Sequence, residues 1–380
     1  MTRRTLWNSL KGLAIGLALG LSLSAQSLER FLDPPRPVPD GVRLVAFNPT
    51  VYNLRCLATL RSKGILQVSG LTVIGVYHVK QKEDFEAARK YAAENQLGWM
   101  KFHAVSAEIT EPVLFRRNDC TPEFEAILRK ADGVIFFGGS DIPASIFHQK
   151  TNLLTEVEDP FRNYFELSAI FHLLGGSQDP KSQPLLASRP GFPVLGICLG
   201  FQSLNVGTGG TLIQDIWSGI YRKASVEDAI ALGPEQWHNN PYRRLFPLDK
   251  LMAYNFHSLQ LKGPSKLTQD LGFKASDHPR VLSSHHQALG RLGRGWVTIA
   301  TSRDGKVVEA IEHKRFPNVL GVQFHPEHML LFDAEPRFRQ QPADTPTSYH
   351  AILAGTPPSL AFNKAIWTWF GTKLQESKNR

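Results

Sequence analysis

The sequence predicts an α/β fold: an open, mostly parallel sheet with helices on both faces and a few added antiparallel strands. Three observations carry that reading. Short apolar runs alternate with helical patterns through the first half of the 380 residues, which is the sequence form of βαβ units. The second half is richer in strand-like runs, placing added strands after the βα repeats. Hydrophobic residues make up 42% and charged residues 20%, which suits a soluble globular chain with a large core. The length would allow two domains, but one elaborated α/β domain over 41–380 can use it, with its core at about 71–330.

The elements follow in order. Residues 43–47 read as an extra strand and 51–66 as an added helix, before the clearest unit of strand 71–78, helix 84–96 and strand 99–105. A helix is expected at 121–131, with Thr121 as N-cap and Glu123 in its first turn. Strand 133–137 runs into Gly138 and Gly139, the mark of a sharp turn at a strand's carboxyl end. Helix 161–174, strand 193–198 and helix 201–206 complete the repeats. Strands are then expected at 251–261, 281–284, 297–301, 307–312 and 319–324, followed by a Pro-rich, mobile loop at 334–358 and a last helix over 359–374.

The N-terminus reads as a targeting segment over 1–27: Arg3, Arg4 and Lys11 precede an apolar stretch at 12–23, followed by the small residues Ser24, Ala25 and Ser27. The apolar run is shorter than the roughly 20 residues that span a bilayer, so a cleaved export signal is expected, giving a periplasmic or secreted chain; retention as an anchor by 12–28 is the alternative. A Pro-rich linker follows at 28–40. In an oxidising compartment Cys56 and Cys120 could pair, or stay as two separate buried thiols. The formal charge is +9, from 43 Lys and Arg against 34 Asp and Glu, and removing Arg3, Arg4 and Lys11 leaves 9 − 3 = +6. With no basic run and no basic–aromatic alternation, nucleic acid is not an expected partner.

The chemistry centres on Gly196-Ile197-Cys198-Leu199-Gly200, where a strand meets a helix through G-x-C-x-G. In such a nucleophile elbow the glycines admit a tight turn, and the thiol faces a helix N-terminus whose partial positive charge favours thiolate. A second apolar strand ends in His325-Pro326-Glu327. His325 can take the thiol proton and return it to a leaving amine, while Glu327 orients the imidazole. The Leu199 N–H and the Gly138-Gly139-Ser140 turn offer donors for an oxyanion. All three elements lie at strand carboxyl ends, where open α/β sheets bind ligands.

Five ordered motifs, at 133–140 (GVIFFGGS), 196–216 (GICLGFQSLNVGTGGTLIQDI), 256–261 (FHSLQL), 281–287 (VLSSHHQ) and 321–327 (GVQFHPE), resemble those of class I glutamine amidotransferases, most closely the γ-glutamyl hydrolase branch, peptidase family C26. The resemblance spans about 71–328 and implies a flavodoxin-like sheet. It implies Cys198 as nucleophile, His325 as base, Glu327 as orienting acid, and Gly139 and Leu199 as oxyanion donors. It further implies that Gln202 meets the glutamyl head group and that Ser284, His285, His286 and Gln287 line the same pocket, with His257 structural. Leu199 stands where γ-glutamyl-GABA hydrolases commonly place Arg, so the leaving amine stays open.

The implied activity is hydrolysis of γ-glutamyl amides through a γ-glutamyl thioester, with a small molecule or short peptide as substrate. The alternatives are an ammonia-supplying glutaminase subunit and a non-catalytic binding module of the same fold. No ATP-binding G-x-x-x-x-G-K-[ST] loop occurs in the chain, and membrane contact is expected only through an uncleaved N-terminal segment. No cofactor or metal is expected, because His285, His286, His325 and His328 fit no common zinc spacing.

Overall fold

The apolar runs of the first half become strands buried on both faces, which is why they read as continuous rather than alternating. The computed structural model describes residues 29–33 and 40–379. The expected targeting segment at 1–27 and most of the expected linker lie outside the described residues. Strands are β1 (Arg43–Phe47), β2 (Thr72–His78), β3 (Met100–Val105), β4 (Gly133–Phe136), β5 (Val194–Ile197), the short β6 (Leu212–Ile213), β7 (Asn255–Leu261), β8 (Arg280–Ser283), the short β9 (Ala288–Leu289), β10 (Trp296–Ser302), β11 (Val308–His313) and β12 (Val319–Val322). Helices are α1 (Val51–Ser62), α2 (Phe85–Glu94), α3 (Thr121–Lys130), α4 (Pro160–Leu174), α5 (Leu199–Gly207), α6 (Ile216–Gly219), α7 (Val226–Leu232), α8 (Tyr242–Leu245), α9 (Lys266–Gln269), α10 (Tyr349–Ala354) and α11 (Ser359–Lys378).

Ten strands form one sheet in the order β3-β2-β1-β4-β5-β12-β11-β10-β7-β8. The first six are parallel and the last four join antiparallel. The chain runs outward from β1 through β2 to β3, then returns to the other side of β1 with β4. The switch point between β1 and β4 is where an open sheet leaves a crevice at its carboxyl edge. Helices cover both faces, as expected. Leu54, Leu57 and Leu60 of α1, Phe85 and Ala88 of α2, and Phe362, Ile366, Trp367 and Phe370 of α11 fill one core; Phe124 and Ile127 of α3, Phe165 and Ile170 of α4, and Phe201 and Leu204 of α5 fill the other. Each fully buried Leu, Ile or Phe among them contributes about 1.5–3 kcal/mol.

Local chemistry sets the helix starts. The side chains of Thr50, Asp84 and Asp159 accept from the N–H groups of Asn53, Ala87 and Arg162, capping α1, α2 and α4. Cys120 rather than Thr121 occupies the cap of α3, and Thr121 instead bonds the His172 ring at 2.8 Å. Residues 29–33, expected in the linker, dock on β3: the Ala104 N–H donates to the Glu29 carbonyl, and Arg30 pairs with Asp33 and Glu123. This covers a sheet edge.

The segment at 334–358, expected as a mobile loop, is held by packing: Tyr349 of α10 is buried against the rings of Tyr254, Phe256 and Phe338. Its prolines punctuate the chain while the aromatic anchors fix it. Cys56 and Cys120 are both free and buried. Cys120 belongs to the core opposite the one that α1, the helix of Cys56, packs into, so the sheet separates the two thiols. Among the described residues no helix is long and apolar enough to cross a membrane.

Candidate active site

Strand β5 ends at Ile197 and α5 begins at Leu199, so Cys198 must turn the chain alone. It does so at φ 52° and ψ −106°, a region that costs an L residue about 1–3 kcal/mol and persists where surrounding structure enforces it. The enforcement is visible. The Cys198 N–H donates to the Val322 carbonyl at 2.9 Å and the Gly200 N–H to the Phe137 carbonyl at 3.2 Å. A methyl on Gly200 would overlap the Phe136 carbonyl, so this position needs glycine.

Parallel pairing of β5 with β12 sets Ile197 beside Val322, which levels the two strand ends and brings His325 to Cys198. The His325 N–H donates to the Leu282 carbonyl at 2.8 Å. Its Nδ1–H donates to Glu327 Oε1 at 2.7 Å, leaving Nε2 for the thiol. Trp367 Nε1 donates to the Pro326 carbonyl at 2.9 Å and fixes the turn between base and acid. Burial alone would depress His325. The Glu327 carboxylate and the Cys198 sulfur, both in contact with the ring, outweigh burial and raise it well above the ordinary imidazole value.

The double-glycine exit of β4 faces this pair: a methyl on Gly138 would sit 3.0 Å from His325 Cε1. Among the described residues, the N–H groups of Gly139 and Leu199 have no backbone acceptor, as an oxyanion donor pair requires. Arg162 of α4, which the sequence reading passed over, holds this turn. Its Nη2 donates to the Phe137 and Gly138 carbonyls, both at 2.9 Å, and its Nε to Glu166 Oε1 at 3.0 Å. The available signal was an Arg–Glu pair at i, i+4 in a helix rich in apolar residues. A cavity of about 300 Å³ opens beside the turn, at the β1–β4 switch point, lined by Asn48, Thr50, Tyr52, Gly139, Ser140 and Arg162 among others.

Two of the expected substrate contacts touch each other: Gln202 Nε2 donates to the Gln287 carbonyl at 3.5 Å. Gln202 is buried and its Nε2 donates to Gln323 Oε1 at 3.1 Å. Ser284 is half-buried and Gln287 buried. His286 sits between Asp141 at 3.0 Å and Asp215 at 3.5 Å. Burial would lower it, but the two carboxylates push it up to about 9. His285 turns instead into a buried group with His238, His257 and Glu309. The four histidines weighed as a metal set do not converge: His328 packs among Tyr52, Tyr254 and Tyr349, where burial depresses it to about 3.

Residues 72–327 match the family model described as Peptidase C26. The glutamine amidotransferase-like protein YvdE of Lactococcus lactis is 29% identical over 226 residues, covering 60% of this chain and 78% of its own. The similarly described RP404 of Rickettsia prowazekii is 27% identical over 221 residues, covering 53% and 73%. NtpR of Enterococcus hirae is 30% identical over 203 residues, covering 53% and 69%.

Proposed function

Since this chain belongs to the Peptidase C26 family, hydrolases of the amidotransferase-like kind, we propose that it cleaves γ-glutamyl amides through a γ-glutamyl thioester on Cys198. The observation that carries the reading is the strained Cys198 turn facing a His325–Glu327 pair across one parallel strand pairing.

Cys198 Sγ attacks the γ-carbonyl carbon, and the oxygen gains a negative charge that the Gly139 and Leu199 N–H groups receive. His325 Nε2 gives its proton to the departing nitrogen as the C–N bond breaks, leaving the thioester and a free amine. Water then loses a proton to His325 and attacks the thioester. The C–S bond breaks, glutamate leaves, and thiolate and imidazolium are restored. Glu327 holds Nδ1–H throughout, which keeps Nε2 on the reacting side. The segment at 1–27 supports action outside the cytoplasm, which N-terminal sequencing of extracytoplasmic material tests: an intact Met1 there contradicts cleavage.

The test of activity compares the purified chain with Cys198→Ala on γ-glutamyl-p-nitroanilide, γ-glutamyl-GABA, glutamine and short poly-γ-glutamates. Turnover of a γ-glutamyl amide by wild type alone is the expected result. Equal rates in both proteins would sink the nucleophile assignment, and turnover of glutamine alone would move the reading to an ammonia-supplying glutaminase.

A further inference from the structure

The antiparallel half of the sheet encloses four side chains of metal-ligating type. His238 precedes α8, His257 lies in β7, His285 follows β8 and Glu309 lies in β11. One ligand atom from each lies within 4.8 Å of all the others. Glu309 Oε1 is 3.2 Å from His238 Nδ1, 3.6 Å from His257 Nε2 and 3.8 Å from His285 Nε2. His257 and Glu309 are fully buried, and His238 and His285 are 1% and 6% exposed.

Buried polar atoms are normally paired, because desolvation without a hydrogen bond costs a few kcal/mol. Here both ring nitrogens of His238, Nε2 of His257, Nε2 of His285 and both oxygens of Glu309 lack a hydrogen-bond partner. The 3.2 Å approach of His238 to Glu309 does not have hydrogen-bond geometry. The outer contacts assign the protons: His285 Nδ1 donates to the Gln287 carbonyl at 2.8 Å, and His257 Nδ1 to the Ser258 carbonyl at 3.4 Å. Both Nε2 lone pairs then point at a carboxylate. A cation between these atoms would satisfy them together, and a backbone carbonyl on the far nitrogen is how metal-bound histidines are usually oriented.

We propose that His238, His257, His285 and Glu309 bind one divalent transition-metal ion, zinc by preference. Bonds of about 2.0–2.1 Å in a tetrahedron place ligand atoms roughly 3.3 Å apart, and the three contacts to Glu309 straddle that value. Three imidazoles and one carboxylate suit zinc or its neighbours rather than calcium or magnesium, which take oxygen ligands. Four protein ligands and no solvent access make the site structural. It ties β7, β11, the segment before α8 and the 284–287 turn together, and the His285 N–H already donates to the His238 carbonyl at 2.9 Å.

The test strips the full chain with a chelator, titrates it with Zn²⁺ or Co²⁺ alone, gel-filters it and measures bound metal by plasma mass spectrometry. Wild type and Cys198→Ala should each hold about one ion per chain, show the visible bands of tetrahedral cobalt, and melt higher with metal than without. His257→Gln and Glu309→Gln should hold at least about tenfold less, with unchanged far-ultraviolet circular dichroism. Two results overturn the assignment: folded wild type that retains no metal, or metal lost in Cys198→Ala. Should a cluster variant fail to fold, the wild-type and Cys198→Ala titrations decide alone.

Discussion

Arg162→Met isolates a part of the site that carries no motif. Arg162 is 6% and Glu166 1% exposed, so removing the guanidinium strands a carboxyl group with no solvent to receive it. Burial already pushes Glu166 above the ordinary carboxyl value, against the pull of Arg162. Breaking one side of a buried ion pair costs about 3–5 kcal/mol. Over the roughly 345 described residues, an unfolding entropy of about 2.1 cal/mol/K per residue gives about 0.7 kcal/mol/K, so the melting temperature should fall by about 4–7 °C. The double variant Arg162→Met/Glu166→Met leaves no orphan charge and should regain about half of that loss. Its activity should not follow. The Phe137 and Gly138 carbonyls still lose their bonds from Arg162 Nη2, and a shift of about 1 Å in the Gly139 N–H would keep kcat about 100-fold down. Calorimetry and turnover of γ-glutamyl-p-nitroanilide read the two effects separately. A double variant with kcat within about twofold of wild type would refute the positioning role, since Arg162 acts on the geometry of the turn rather than on bulk stability.

Other perturbations separate strain, orientation and charge. Cys198→Gly should abolish turnover yet stabilise the fold by about 1 kcal/mol in denaturant titration, because glycine accepts φ 52° freely; an unchanged or lower midpoint would argue against stored strain. Glu327→Gln should cut kcat/KM by about 10³–10⁴ and move the basic limb of its pH profile to lower pH, since the carboxylate that raises His325 is gone; a limb that stays put would detach Glu327 from the base. For His286 the folded value of about 9 lies above the ordinary 6.5, so its contribution is complete below about pH 6.5 and lost as pH rises through 9. The gap in unfolding free energy between wild type and His286→Gln should shrink by on the order of 3 kcal/mol from pH 6 to pH 9.5, and a constant gap would contradict the ion pairs with Asp141 and Asp215.

What the sequence made legible is what local chemistry dictates. Strands buried on both faces announce themselves as apolar runs, and β2, β5 and β12 lie within two residues of their expected ends. The elbow was readable because a strand, two glycines and a helix start leave the cysteine one geometry. Beyond the local range the sequence carries less signal. Nothing near Arg162 says that its guanidinium reaches back 24 and 25 residues to two carbonyls. The short helices α6 to α9 each carry too few turns to show a period. The resemblance places the 284–287 turn at the pocket without saying which side chain points in, and adjacent residues of a turn can face opposite ways, as His285 and His286 do.

The parallel and antiparallel halves divide the labour of the site. Cys198 depends on β5 and on the hydrogen bond that its N–H makes to Val322. His325 depends on Leu282 at the end of β8, and so on strands that lie across the antiparallel extension. The Gln323 N–H, two residues before the base, donates to the Glu309 carbonyl at 2.8 Å. The backbone that presents the base is therefore bonded to the backbone that presents the buried carboxylate. Disturbing the His238, His257, His285 and Glu309 group should loosen His325 while leaving the Cys198 turn in place. Alkylation of Cys198 in a Glu309→Gln variant would then stay complete, while its pH dependence, which His325 governs, would change; slowed alkylation with an unchanged profile would show instead that the two halves move as one.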